Sequence, residues 1–164
     1  LYDLLRFGGA DLCLTDQRIA FSDKYANFQL LKCGCYAELS VRSPLAEQES
    51  VTMEELKRQA CILISSREQQ NTEEDYYKNT LGFGGRFLFA ENLEEGRLMV
   101  AGNRGFLPVE RVGTLPPCGT GVKRLPVMER GQQLKRNYCL FWMKENANYY
   151  IEEFAEILRK LLKE

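Results

Sequence analysis

The residues with the greatest chemical reach are Ser65, Ser66, Arg67 and Gln69, in the run SSREQ that closes the apolar stretch ACILIS, Ala60 to Ser65. Two hydroxyls can donate to a carboxylate, and a guanidinium can grip one through two parallel N–H bonds. Thr72-Glu73-Glu74-Asp75 reads as the opening of a helix just beyond them, and a helix amino end favours negative charge by about 0.3–1 kcal/mol. These types at this spacing support the capture of a small anion. Their plainer use is local: the serines can satisfy loop backbone, and Arg67 can face solvent.

Catalysis has little to work with. Histidine is absent from all 164 residues, which removes the commonest general base and triad partner. There is no G-x-S-x-G elbow and no G-x-x-x-x-G-K phosphate loop. The six cysteines (Cys13, Cys33, Cys35, Cys61, Cys118, Cys139) sit mostly inside apolar runs, which suits buried free thiols in a reducing compartment. Cys33-Gly34-Cys35 is the close pair; with no second paired motif it reads as two strand residues before it reads as a metal site or a redox sensor. The sequence thus predicts no catalytic residue, no metal and no cofactor.

Charge excludes a further class. Lys and Arg number 22 against 23 Asp and Glu, and the balance of -1 is spread along the chain, so no field builds up that would hold a polyanion. No apolar run approaches the roughly 20 residues needed to cross a bilayer, and the start has no signal-peptide pattern. The expectation is a cytoplasmic chain that does not touch nucleic acid or membrane itself.

The elements that must position these residues follow from pattern. Gly8-Gly9 stops a first amphipathic helix, Ala10 to Thr15 is a buried strand, and Phe28 to Val41 carries extended runs that end at Ser43-Pro44. Thr52-x-x-Glu55 is a capping box before the strand ending at Ser65. Gly85 to Ala90 is the next strand, Asn92-x-x-Glu95 caps a helix, and Gly105 to Val109 is the strand after it. Helices between buried strands predict right-handed crossovers and mainly parallel sheets. A Pro/Gly-rich connector at Gly113 to Gly121 leads to two strands of antiparallel character, and a final helix from about Ala147 to Leu162 carries Tyr150, Phe154, Ile157, Leu158 and Leu161, read as its core stripe.

One arrangement fits: an α/β lobe over 35–119 inserted into a lobe built from both chain ends, 1–34 and 120–164. Two crossings would place a hinge cleft at the carboxyl ends of parallel strands. The residues expected to face it are Thr15, Asp16 and Gln17 after the first strand, Ser65, Ser66, Arg67 and Gln69, then Glu91, with Pro108 and Glu110 on the strand that approaches the crossing. The stretch VAGNRGFLPVE, Val100 to Glu110, runs from helix to strand, the reverse of a phosphate-gripping loop, so its glycines mark a corner and its far end carries the strand towards the cleft.

Asp11-Leu12-Cys13-Leu14, Ser43-Pro44-Leu45-Ala46, Val51 to Leu56 (VTMEEL) and Val100 to Pro108 (VAGNRGFLP), in this order and spacing, resemble the effector-binding domain of LysR-type transcriptional regulators. In that family the second motif is usually His-Pro-Leu-Ala and the last a Gly-x-Gly followed by two apolar residues and Pro; Ser43 stands here where histidine is common. The resemblance implies a two-lobed, periplasmic-binding-protein-like fold of type 2, a small effector bound between the lobes, and a side-by-side homodimer. It also implies a first strand and helix of the domain before Leu1, and DNA contact only through a winged helix-turn-helix outside this chain. Two-lobed solute-binding proteins of transporters, and more distantly two-lobed transferases, share the architecture and remain alternatives at this point.

Overall fold

In the computed structural model, which describes residues 2–15 and 22–162, the chain divides into two units. The first comprises Leu1–Cys33, Val112–Thr114 and Lys135–Glu164; the second comprises Gly34–Arg111 and Leu115–Leu134. The elements in order are α1 (Tyr2–Arg6), β1 (Cys13–Thr15), β2 (Tyr25–Ser40), β3 (Val51–Thr52), α2 (Met53–Leu56), β4 (Cys61–Ile64), α3 (Gln70–Asp75, continued by a π-turn over Tyr76–Thr80), β5 (Phe87–Ala90), α4 (Leu93–Ala101), β6 (Leu107–Glu110), β7 (Val122–Glu129), β8 (Gln132–Gln133), β9 (Lys135–Met143) and α5 (Tyr149–Leu161).

In the second unit β4 and β5 run parallel in the register Ile64↔Ala90, and β6 joins the other side of β4 through a parallel bridge, Cys61↔Phe106. Crossover helices α3 and α4 make these connections, as the sequence pattern requires. β6 then pairs antiparallel with β2, β2 antiparallel with β7, and β7 parallel with β3. Residues alternate between the two faces of this sheet: Cys61 and Leu63 join the core with Leu56, Tyr77, Phe83 and Phe106, while Ile62 joins Ala90, Val100, Leu107 and Val122. Two glycines admit the close strand approach at β4, because a Cβ on Gly85 would stand 2.1 Å from the Gln59 carbonyl and one on Gly105 2.4 Å from that of Ala60.

In the first unit β1 lies antiparallel to β9, in the register Thr15↔Cys139. Leu140 and Trp142 face α5 with Ile151 and Ala155, whereas Phe141 between them faces α1 with Leu5, Cys13 and Tyr25. Gly8, at φ +70, ends α1: the Gly9 N–H donates to the Leu4 carbonyl at 2.7 Å and the Gly8 N–H to that of Leu5, a Schellman closure.

Three expectations are corrected. The sheets are not mainly parallel: the larger one is mostly antiparallel, since helical crossovers link only β4, β5 and β6, while β7 returns through the two-residue turn Arg130-Gly131, both at positive φ. The stretch 120–134, assigned from sequence to the lobe of the chain ends, falls in the second unit because β7 pairs with β2 and β3 there. The core stripe of α5 is Ile151, Ala155 and Leu158, and of the residues assigned to it Tyr150, Phe154, Ile157 and Leu161 are exposed, because the helix is apolar on two flanks.

Candidate functional site

The carboxyl ends of β4 and β5 are brought level by their register, and the Ser65 N–H donates to the Ala90 carbonyl at 3.2 Å. Ser65 is thereby buried, at 7% exposure, directly beyond the last residue of β4. Its hydroxyl Oγ has no hydrogen-bond partner among the described residues. A buried hydroxyl left unpaired costs about 1–3 kcal/mol, so this group burdens the fold rather than supporting it.

Beyond it the chain turns through Ser66 to Gln69, all exposed. The Gln69 N–H donates to the Ser66 carbonyl at 2.9 Å, and Ser66 Oγ donates to Gln69 Oε1 at 3.2 Å, so Ser66 and Gln69 brace the turn. Arg67 projects from that braced loop with an exposed side chain. α3 opens two residues before Thr72, with Gln69 at its cap position and no side-chain cap bond.

Glu91 and Asn92 stand at the end of β5. Asn92 is a helix cap, accepting from the Glu95 N–H at 2.9 Å, and the Glu95 carboxylate in turn accepts from the Glu91 N–H at 2.7 Å. The amino end of α4 is therefore served by its own carboxylate, and the Glu91 side chain is exposed.

Glu110 ends β6 opposite Cys35, half-buried, while Pro108 lies two residues earlier, inside the strand opposite Ala37. Thr15 belongs to the first unit, buried at the end of β1. Asp16 and Gln17 lie outside the described residues. Of the residues named from sequence, the second unit thus gathers Ser65, Ser66, Arg67, Gln69 and Glu91 at one sheet edge, with Glu110 ending the strand on the far side of β4.

Cys33 and Cys35 are buried positions of β2, and Cys61 lies in β4 with burial pushing its thiol far up. Burial also raises the Cys13 and Cys139 thiols, because it disfavours the charged thiolate. Among the described residues no cluster of Cys, Asp and Glu could hold a metal ion.

Sequence reading missed the strongest electrostatic feature. Glu38, wholly buried near the carboxyl end of β2, is held by Arg97 of α4 through Nε to Oε2 and Nη2 to Oε1, both 2.7 Å. Arg124 of β7 donates to Oε1 from Nε at 3.0 Å and Nη2 at 2.6 Å. Burial alone would raise the Glu38 carboxyl, but the hydrogen bonds and charges of the two arginines outweigh it and hold it below its usual range. The same arginines donate to the carbonyls of Pro117 (3.2 Å) and Pro116 (2.7 Å), fastening part of the Pro/Gly-rich connector to the second unit. The sequence signal was a lone carboxylate inside the apolar run CGCYAEL; its partners lie 59 and 86 residues away.

This mixed α/β arrangement is the fold of the regulatory domains of LysR-family transcription regulators, which are two-lobed and periplasmic-binding-protein-like. One solved example similar to the chain is the regulatory domain of MetR from N. meningitidis, at TM-score 0.77 and 18% identity, covering 97% of this chain and 73% of that one. Another is the reduced OxyR regulatory domain from Pseudomonas aeruginosa (TM-score 0.66, 18% identity, 96% and 76%). HinK, from the same organism, matches at TM-score 0.67 and 19% identity over 99% of this chain and 56% of its own. No family model matches the chain, and no curated protein matches it in sequence.

Proposed function

We propose that the chain is the effector-sensing regulatory domain of a LysR-type transcriptional regulator. It works in the cytoplasm as a homodimer, without catalysis, and passes its state to DNA-binding domains outside this chain. The effector is a small anion, a carboxylate foremost, taken up in the inter-lobe cleft expected from the sequence. Ser65 donates to it, Arg67 pairs with its charge, and Ser66 and Gln69 keep the loop in shape. Glu91 adds an acceptor at the same edge, so an amine beside the carboxylate is accommodated.

The observation that carries this reading is the buried Ser65 hydroxyl, without a hydrogen-bond partner among the described residues, at the carboxyl ends of parallel strands and next to a loop with an exposed guanidinium. The fold supports it, since the similar structures are LysR-family regulators or their regulatory domains. A ligand moves such a domain only by its differential affinity for two states, typically about 1–3 kcal/mol of coupling.

The test is a thermal-shift screen of the chain against small carboxylates and amino acids. At least one compound should raise the melting temperature, and Arg67→Ala should weaken it by more than about tenfold, the loss of one charge-assisted pair. A panel without a stabilising member, or an unchanged affinity in Arg67→Ala, contradicts the reading.

A further inference from the structure

A second candidate lies at the other end of β4. Ser65 follows the last residue of that strand, whereas Ala60 precedes its first, Cys61, and there the second unit holds a cavity of about 190 Å³. Leu39 and Pro44 make its apolar wall, and Ser43, Gln59, Asn103 and Arg104 its polar one. Gly105, which lets its strand lie against the Ala60 carbonyl, completes the lining and brings the corner after α4 up to Gln59.

The four polar side chains come from three separate segments; all can donate, and Arg104 alone is charged. None makes a side-chain hydrogen bond or ion pair among the described residues, and the lining holds no carboxylate. Their ordinary local uses are left aside. Ser43 stands at the cap position of the 3₁₀ turn Pro44–Glu47, yet its hydroxyl makes no cap bond. Asn103 takes, at φ +57, the left-handed place beyond α4 where glycine is the usual residue, so an amide is presented where a glycine would serve the backbone as well. Nor is Arg104 needed to close the helix end. The Leu98, Met99 and Val100 carbonyls accept from the N–H groups of Gly102 (2.9 Å), Arg104 (3.1 Å) and Asn103 (2.8 Å), and the Ala101 carbonyl accepts from Arg42 Nη2 at 2.9 Å. The last carbonyls of α4 are thus occupied, and the exposed Arg104 guanidinium remains as a positive charge beside a hollow lined with donors.

We propose that this cavity binds a phosphate group, free or on a short ester. Arg104 grips two of its oxygens through the guanidinium fork, Ser43, Gln59 and Asn103 donate to the others, and ester carbons lie along Leu39 and Pro44. A phosphate group carries close to two negative charges at neutral pH and accepts from several directions, which suits four converging donors. The volume, smaller than that of sites for drug-sized ligands, suits a group of this size. The grip comes from side chains, in keeping with a helix-to-strand corner whose backbone N–H groups are already used. This site differs from the one proposed at Ser65 and Arg67 in place and in ligand, and does not depend on it.

The test is calorimetric titration of the chain with inorganic phosphate and with glycerol 3-phosphate at constant ionic strength. Both should bind saturably at one site, and the tighter of the two identifies free phosphate or a phosphate ester as the source. Arg104→Gln, an exposed change, should keep the urea midpoint and lose at least about tenfold in affinity. Asn103→Gly should keep or raise the midpoint, since glycine suits the left-handed position, and bind several-fold more weakly. Arg67→Ala should bind phosphate as the wild type does. The proposal is overturned if neither phosphate binds saturably up to about 10 mM, if Arg104→Gln or Asn103→Gly keeps full affinity, or if Arg67→Ala loses it.

Discussion

Two buried polar groups in the second unit have opposite fates. Glu38 carries a full charge at the centre of the sheet, yet both its oxygens are met by Arg97 and Arg124, and those arginines go on to hold two connector carbonyls. Ser65 is neutral, lies at the sheet's edge, and its hydroxyl is met by nothing among the described residues. A closed network contributes to the fold and is costly to open, because removing one partner strands the others in low dielectric. A lone buried hydroxyl weakens the fold, so its removal carries no penalty. The contrast separates structure from function more sharply than burial or charge does by itself.

That contrast can be broken by substitution. Glu38→Gln leaves two arginines facing a neutral amide and should cost about 3–5 kcal/mol in urea unfolding. A loss below about 1 kcal/mol would mean that the network is not closed in the way described. A related effect should appear with pH. Since the Glu38 carboxyl is held below its ordinary value of 4.5, its contribution is complete above that value and is lost as pH falls through the lowered folded one. The wild-type urea midpoint should therefore drop in acid more steeply than that of Glu38→Gln, and parallel curves would count against the pairing. The last change belongs to Ser65→Ala, which deletes an unpaired buried hydroxyl and should leave stability at the wild-type level or raise it, by about 1–3 kcal/mol at most. A large loss would show that the hydroxyl has a structural partner.

Much of the fold was legible because it rests on local rules. The capping box at Thr52 and Glu55 forms reciprocally, with the Thr52 N–H donating to Glu55 Oε2 at 2.8 Å and the Glu55 N–H to Thr52 Oγ1 at 3.3 Å. Gly8, the strand Cys61–Ile64 and the Asn92 cap also fall where pattern places them. The parallel expectation failed where pairing is not local: β2 meets β6 and β7 across 69 to 90 residues in sequence, and no periodicity records the direction of such a partner. α5 misled for a different reason. Tyr150, Phe154, Ile157 and Leu161 repeat with the same helical spacing as Ile151, Ala155 and Leu158, so spacing alone could not choose the buried flank. The place of Ser65 and Arg67 just beyond a strand end was legible in the sequence, but the isolation of the Ser65 hydroxyl depends on the register of β4 with β5 and is invisible there. The arginines of Glu38 were hidden by distance along the chain in the same way.

The central claim is that Ser65 is kept unpaired for a ligand rather than for the fold. Calorimetric titration of wild type and Ser65→Ala with the carboxylate or amino acid that most raises the melting temperature tests it directly. The account predicts that Ser65→Ala unfolds at or above the wild-type urea midpoint yet binds about tenfold or more weakly. Equal affinity in the two proteins would contradict it.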